Sequence, residues 1–508
     1  MAVSFNQIPG NLRVPLAYFE IDPSQAASYQ QATYAVLLGT HDPARGPLQL
    51  NRLTLIRSRL DAEGQAGVGS ALARMATAYF RNNQSVPLYV IAAAETGFQA
   101  GAGMIVVTGD ATESGTIPLY IGGRLLRIYV RNGMDDEEIT NAITDAINAD
   151  PAFGVEAEVR DYDAGPPIVP WGVRITSTQP GVIGALDIQV AYRGPAFGEI
   201  VPAGVTLVVT QMTGATGVPD VAALLANMGD DLLDHICCPW SDAQSLDDVD
   251  EYLNDITGRW SWSQQLYGHA YSFMAGNLGA LAAFGVTRNG QHATLAGMDG
   301  CPTPAAEIAA AWTGQCAGSE VVDPARPVQS LPLLGVMAPP PDRRFLILDR
   351  QVLLFDGIAT TYVDAGGVVR IDRSITTYQR NVWGAPDNSY LDVETLWTIT
   401  YYNRFNRQRI MTKFPRHKLA DDGTRFGAGQ AIVTPAILRA EMVSVYGELE
   451  EAGIVENIDA FRAALIVERN AQDPNRVDAL LPPDVVNQLR IFAALVQFRL
   501  RSVSTEAA

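Results

Sequence analysis

The sequence predicts a multidomain chain that mixes α/β and α+β units, on three observations. At 508 residues the chain is longer than one core ordinarily organises, so two to four domains are expected. Buried-strand runs alternate with helical stretches over 26–98 and again over 198–325, which reads as one central α/β domain. Between those halves, 99–197 has the texture of a self-contained α+β domain inserted on a surface loop.

Residues 1–25 read as an arm, because Pro9-Gly10, Pro15 and Pro23 prevent a helix from running through them. Within it Ala17, Tyr18, Phe19, Glu20 and Ile21 have strand composition, yet five residues are too few to be stable alone. TYAVLLGT (33–40) and PLYVIAAA (87–94) are buried-strand runs on either side of a helical stretch at 68–83. In the insert, 116–133 reads as two strands joined at Gly122-Gly123, and 135–150 as a helix whose acidic first turn suits the positive end of the helix dipole. Strands at 155–161, 171–178 and 185–192 follow. The α/β pattern then resumes, with strands at 205–210, 235–240, 267–275 and 292–298 and helices at 218–234, 245–260 and 277–286.

A proline-rich stretch at 323–344 marks the next boundary, with 326–344 as linker. A C-terminal α+β domain is expected over 345–488, opening with strands at 345–355, 357–364 and 367–379. Thr434 and Pro435 start a helix as N-cap and first residue, and Gly453 ends it. Ile437, Leu438, Met442, Val445, Tyr446 and Leu449 give that helix an apolar face. The last segment, 489–508, reads as an arm strand. Phe492, Ala494, Val496, Phe498 and Leu500 share one face, with Gln497, Arg499 and Arg501 on the other.

Lys and Arg total 36 against 55 Asp and Glu, which argues against direct nucleic-acid binding, since that needs a basic footprint. No apolar run reaches the roughly 18–20 residues that span a bilayer, and the start lacks a signal peptide's charged and apolar regions, so no membrane insertion is expected. The four cysteines, Cys237, Cys238, Cys301 and Cys316, read as reduced, core-filling thiols; a Cys301–Cys316 disulfide is the lesser reading.

Neither lysine follows a glycine-rich loop, no G-x-G-x-x-G opens a helix, and the five histidines form no metal-binding spacing, so no metal or cofactor is expected. DHICCPWSD (234–242) is the strongest catalytic candidate. Adjacent His and Cys on a strand point to opposite faces, however, so a buried strand with a polar cap is favoured. The nine acidic residues from Asp230 to Asp255 read as a solvated face.

The region 370–418 reverses the chain's charge. Nine basic residues (370, 373, 380, 404, 407, 409, 413, 416, 418) face four acidic ones (372, 387, 392, 394). Lys413 and Lys418 are the only lysines in the chain and lie beside Arg416 and an Asp421-Asp422-Gly423 turn. Three readings compete: a docking face, arginines on strand faces that pair internally, and a single-strand nucleic-acid binder.

The stretches 373–410, 413–435 and 453–500 together resemble the sheath protein of contractile phage tails, in its Mu-like branch. VSFNQIP (3–9) and VPLAYFEID (14–22) are similar to the opening of that branch, so the resemblance covers essentially the whole chain. It implies a structural, non-enzymatic subunit that polymerises as stacked hexameric rings around a tail tube, between baseplate and tail terminator proteins. The polymer contracts to drive the tube through the host envelope. It further implies a Rossmann-like central domain, subtilisin-like in fold but non-catalytic, and a C-terminal domain completed by the N-terminal arm. Ala17–Ile21 and Phe492–Leu500 would then be inter-subunit strands, and Lys413, Arg416 and Lys418 a tube-facing cluster. The setting implied is the virion tail, assembled in the host cytoplasm. The sheath of a tail-like bacteriocin or injection device is an alternative, and an α/β hydrolase is a rival from a different class.

Overall fold

The structure, a computed structural model, describes residues 33–161, 171–427 and 429–499. Its largest element is an eight-stranded sheet. In spatial order the strands are Val369–Arg373, Ile358–Val363, Ala293–Met298, His269–Ala275, Leu233–Cys237, Tyr34–His41, Leu88–Ala94 and Thr54–Ile56. The six inner strands are parallel and the two edges antiparallel. Parallel strands are covered on both faces and therefore read as continuous apolar runs. In the first strand, Ala35 and Leu37 enter the core beneath helices Arg59–Ala66, Ala71–Asn82 and Ala305–Val322, while Val36 and Leu38 enter the opposite core under Val221–Ala226 and Ala243–Leu253.

The inserted unit holds two antiparallel sheets around its own core. One has the order Thr206–Thr213, Ala102–Thr108, Trp171–Ser177, Val155–Asp161; the other has Arg124–Val130, Gly115–Ile121, Ile188–Val190. Gly122 and Gly123, at φ +54° and +74°, make the two-residue turn of the 115–130 hairpin, a conformation that L side chains resist. Helix Asp136–Asn148 begins with a capping box between Asp135 and Glu138. The strand expected at 205–210 in the central domain belongs instead to this unit, because it pairs antiparallel with 102–108 in register Thr206↔Thr108.

Four further expectations are corrected. The stretch 345–355 is a helix, Ile347–Phe355, not a strand. The strands at 358–363 and 369–373 extend the large sheet and so belong to the central body. The segment 326–344 is no free linker: Val328 and Leu333 are buried, and Ile371 N–H donates to Leu331 O (3.0 Å) while Leu333 N–H donates to Val369 O (2.8 Å), which seals the sheet edge. The helix expected over 218–234 stops at Ala226, shortly before Gly229 turns left-handed at φ +59°.

Beyond the sheet, a 21-residue helix, Val393–Lys413, carries Arg404, Arg407, Arg409 and Lys413, so these four do not lie on strand faces as one of the three readings had it. Helix Pro435–Glu451 starts as expected, with Thr434 Oγ1 accepting from Ile437 N–H. Its Met442, Val445, Tyr446 and Leu449 close a small core with Tyr402, Ile454, Phe461 and Leu465. A two-stranded hairpin, Ile466–Arg469 with Val477–Leu480, lies beside it.

Candidate interaction surfaces

The strand Leu233–Cys237 brings together the residues of the catalytic candidate, and their partners show what they do. Asp234 takes a bidentate pair from Arg404 of the long helix (2.7 and 3.1 Å). His235 sits with Nε2 2.6 Å from Glu320 Oε2 and Nδ1 3.2 Å from Tyr271 Oη, all buried. Burial pushes the Cys237 thiol far above its ordinary range and Cys238 up to about 12, which keeps both protonated and unreactive. His269 Nε2 meets Thr294 Oγ1 (2.8 Å), His292 Nε2 meets Asp255 Oδ1 (2.8 Å), and His41 Nε2 meets the Gly46 carbonyl (3.0 Å). These imidazole contacts therefore bring no Ser or Cys against a histidine, the arrangement that a triad requires.

Ligands of open α/β sheets bind where the strand order reverses, here between Tyr34–His41 and Leu233–Cys237. Beside it, at the carboxyl ends of Tyr34–His41 and Leu88–Ala94, lies Gln179 of the insert. The buried Gln179 Nε2 donates to Thr40 Oγ1 (2.9 Å) and Glu95 Oε1 (2.8 Å), and its Oε1 accepts from Ala71 N–H in the first turn of helix Ala71–Asn82. Arg45 completes the cluster at 3.2 Å from Glu95. Burial raises the Glu95 carboxyl above its ordinary range in spite of these partners. The side chain thus ties together the carboxyl ends of Tyr34–His41 and Leu88–Ala94 and bolts the insert to the body.

The cationic region is mostly paired. Arg370, Arg373, Arg404, Arg409 and Lys413 each meet a carboxylate. Lys413 Nζ pairs with Glu441 on helix Pro435–Glu451, which Arg409 also contacts (3.3 Å). Of the expected tube-facing trio, Lys413 is thus tied internally while Arg416 and Lys418 are exposed. Lys418 Nζ donates to Gln430 Oε1 (3.3 Å), across a short ladder that pairs Lys418 with Ile432. Asp421 pairs with Arg469 (2.8 Å), and Asp422 accepts from Ala436 N–H (3.0 Å). Bonds from Thr434 and Ala436 hold the Asp422 carboxyl below its ordinary value.

At the C-terminal end, Ile491, Phe492, Leu495, Val496 and Phe498 are each at least 80% exposed. Ala494 is exposed as well, and no strand is formed over 489–499. The expected arm strand therefore has no partner in its own chain among the described residues. Leu500 and the N-terminal Ala17, Tyr18, Phe19, Glu20 and Ile21 lie outside the described residues. Sequence reasoning missed a second exposed feature, the turn that presents Val382 and Trp383. Asn381 N–H donates to Ala385 O and Gly384 N–H to Asn381 O (both 2.9 Å). It also missed Arg490, the charge that immediately precedes the apolar run.

Comparison with known proteins places two family profiles on this chain. The phage tail sheath protein central domain matches residues 214–377, and the phage tail sheath C-terminal domain matches 385–499. The chain is 35% identical over 503 residues to the Mu-like prophage FluMu tail sheath protein of Haemophilus influenzae, covering 98% of this chain and 100% of the relative. Among solved structures, a sheath tail protein from Listeria innocua aligns with 91% of this chain and 93% of its own, at 13% identity and a TM-score of 0.47. The contracted helical sheath of the anti-feeding prophage aligns with 96% and 99%, at 11% identity and a TM-score of 0.46.

Proposed function

This chain belongs to the phage tail sheath family and is a structural subunit of a contractile tail sheath, and from that premise we propose that it polymerises as stacked hexameric rings around a tail tube, between baseplate and tail terminator proteins. Contraction of the polymer drives the tube through the host envelope. The protein acts in the virion tail after assembly in the host cytoplasm, without enzymatic activity, direct nucleic-acid contact or membrane insertion. A Rossmann-like, subtilisin-like body without chemistry is supported by the parallel strand order and by the internal pairing of Asp234 and His235 beside two protonated, buried thiols.

One observation carries the polymer reading: the exposed apolar run 491–498 lacks a strand partner among the described residues. Unpaired strands with apolar side chains are a liability in a monomer and become β-augmentation when a neighbour accepts them. We infer that the acceptor is the hairpin of 466–469 with 477–480. Among the described residues both its outer edges are free, and a two-stranded sheet alone is marginal. The N-terminal arm around Ala17–Ile21 supplies the other added strand and completes the C-terminal domain. Each main-chain bond so formed contributes roughly 0.5–1.5 kcal/mol, and the links hold subunits together while the bodies rotate. Arg416 and Lys418 grip the tube weakly, with Lys413 restrained by Glu441.

Deletion of 491–508 tests the reading. The shortened protein should melt as the parent does and form no long cylinders under negative-stain microscopy. Cylinders of ordinary length from the shortened chain would refute strand exchange through this arm.

A further inference from the structure

The chain leading into the arm is tied down until Arg490 and free beyond it. Asp484 and Val485 pair antiparallel with Glu456 and Val455, and Val486 N–H donates to Ile454 O (3.2 Å). Gln488 Nε2 reaches Ala325 O, and Gln329 Nε2 reaches Leu489 O, both at a loose 3.5 Å. The last firm attachment is the Arg490 side chain. Its Nη2 donates to Glu394 Oε2 (2.7 Å) and Asp392 Oδ1 (3.1 Å), and from Ile491 onward every large apolar residue among the described ones is exposed.

The body has built the seat for this guanidinium. Glu394, in the first turn of helix Val393–Lys413, is buried, and its Oε1 accepts from Val328 N–H (2.8 Å). Asp392 precedes that helix and is gripped by Arg373 through two bonds (2.9 and 2.8 Å). Two carboxylates are thus fixed from the body side, and Arg490 is the cation that the arm contributes. A buried carboxylate left without its partner is costly, so this contact is one that the folded chain keeps.

We propose that Arg490 is the positioning residue of the C-terminal arm: seated on Asp392 and Glu394, it fixes where and in which direction the run 491–499 leaves the body toward a second copy of this chain. The inference rests on the strand-exchange reading above. A strand launched from a fixed root searches less space than one on a loose tether, so it finds its acceptor at lower protein concentration.

The test uses the full-length protein with a nitroxide on Ile491→Cys, and a second preparation labelled at Leu495→Cys as a mobile control. In the parent the label at 491, next to the anchored backbone of Arg490, should be less mobile than that at 495. The Glu394→Gln/Arg490→Gln pair removes both charges together, so no carboxylate is orphaned at 394, and the amide oxygen that replaces it still accepts from Val328 N–H. It should free the label at 491, keep the parent's melting temperature, and raise the concentration needed for polymerisation about tenfold. Arg490→Lys, which keeps the charge but not the planar guanidinium whose Nη2 reaches both carboxylates, should fall between the two and serves where the double variant does not fold. A label at 491 whose mobility is unchanged from the parent in both variants overturns the proposal. So does one that becomes mobile while polymerisation is unchanged. Strand exchange is judged separately, by whether the chain ending at 490 still polymerises.

Discussion

Helix Val393–Lys413 crosses two regions that are built differently. Its first turns are inside the body, where Val393 and Trp397 share a core with Ala35, Leu37 and Ile371 of the sheet, and near its middle Arg404 still buries its charge on Asp234. From the same middle turns its other side joins a small core in which Tyr402 clusters with Tyr446 and Leu449, and it ends at an exposed Lys413 on Glu441. The body has two large cores on a sheet whose inner strands are covered on both faces. The C-terminal unit has one small core, a lone hairpin and an uncovered apolar tail among the described residues. A small core buries a smaller fraction of its chain and is correspondingly marginal. Stability is therefore concentrated in the body, and the uncovered apolar run lies at the end that is least able to stand alone.

The largest expected effect comes from breaking the joint. Arg404→Met leaves Asp234, fully buried, without its cation, and should cost about 3–5 kcal/mol of body stability by denaturant titration. Replacing Asp234 by Asn in the same chain should recover part of that loss. Leu449→Ala, in the small core, should cost about 2–5 kcal/mol and melt the C-terminal unit before the body, giving two calorimetric transitions where the parent gives one. A single shifted transition would mean that the two regions unfold as one.

Acid should weaken the body. Burial, with His292 and His235 adding to it, holds His269 well below its ordinary 6.5. Burial likewise lowers His292 despite Asp255. Unfolded, these imidazoles take up protons below about pH 6.5 while the folded ones stay neutral, so stability is present above 6.5 and is lost as pH falls toward the folded values. Burial pushes Asp255 up, but the bonds from His292 and Tyr390 outweigh it and leave its carboxyl below the ordinary 3.8, so a further loss comes only in stronger acid. The melting temperature should fall from pH 7 to 5, and less so in His269→Asn. A flat profile over that range would remove the histidines from the account.

The smallest effect on folding belongs to the exposed cations. Changing Lys413, Arg416 and Lys418 together to Gln should shift stability by no more than about 1 kcal/mol. Binding to a preformed tube should weaken, as it should for the parent in high salt. If stability falls instead while tube binding keeps the parent's salt response, the cluster is a structural brace around Glu441.

Much of the body was legible because parallel strands that are covered on both faces read as mostly apolar runs: 34–41, 88–94 and 293–298 each centre on one, and 269–275 is interrupted only by His269 and Ser272. What failed has physical causes. Helix Val393–Lys413 is rich in Thr, Tyr, Trp and Ile, residues of strand preference, and only burial against the sheet decides for helix. Ile347–Phe355 has Leu353 alone fully buried, so no helical stripe shows in its sequence. The pairing of 206–213 with 102–108 spans the whole insert, and no local pattern encodes it. The arm's apolar run was visible, but its root was not. Arg490 is distinguished only by Asp392 and Glu394, almost a hundred residues away in sequence.

The contrast between the two regions is tested most directly by hydrogen exchange on dissociated subunits and on assembled polymer. Body amides in 34–41, 233–237 and 293–298 should be protected equally in both states. Amides of 491–499 should exchange freely in the subunit and become protected in the polymer, together with the outer edges of 466–469 and 477–480. If 491–499 exchanges as freely in the polymer as in the subunit, the arm is not what joins the copies.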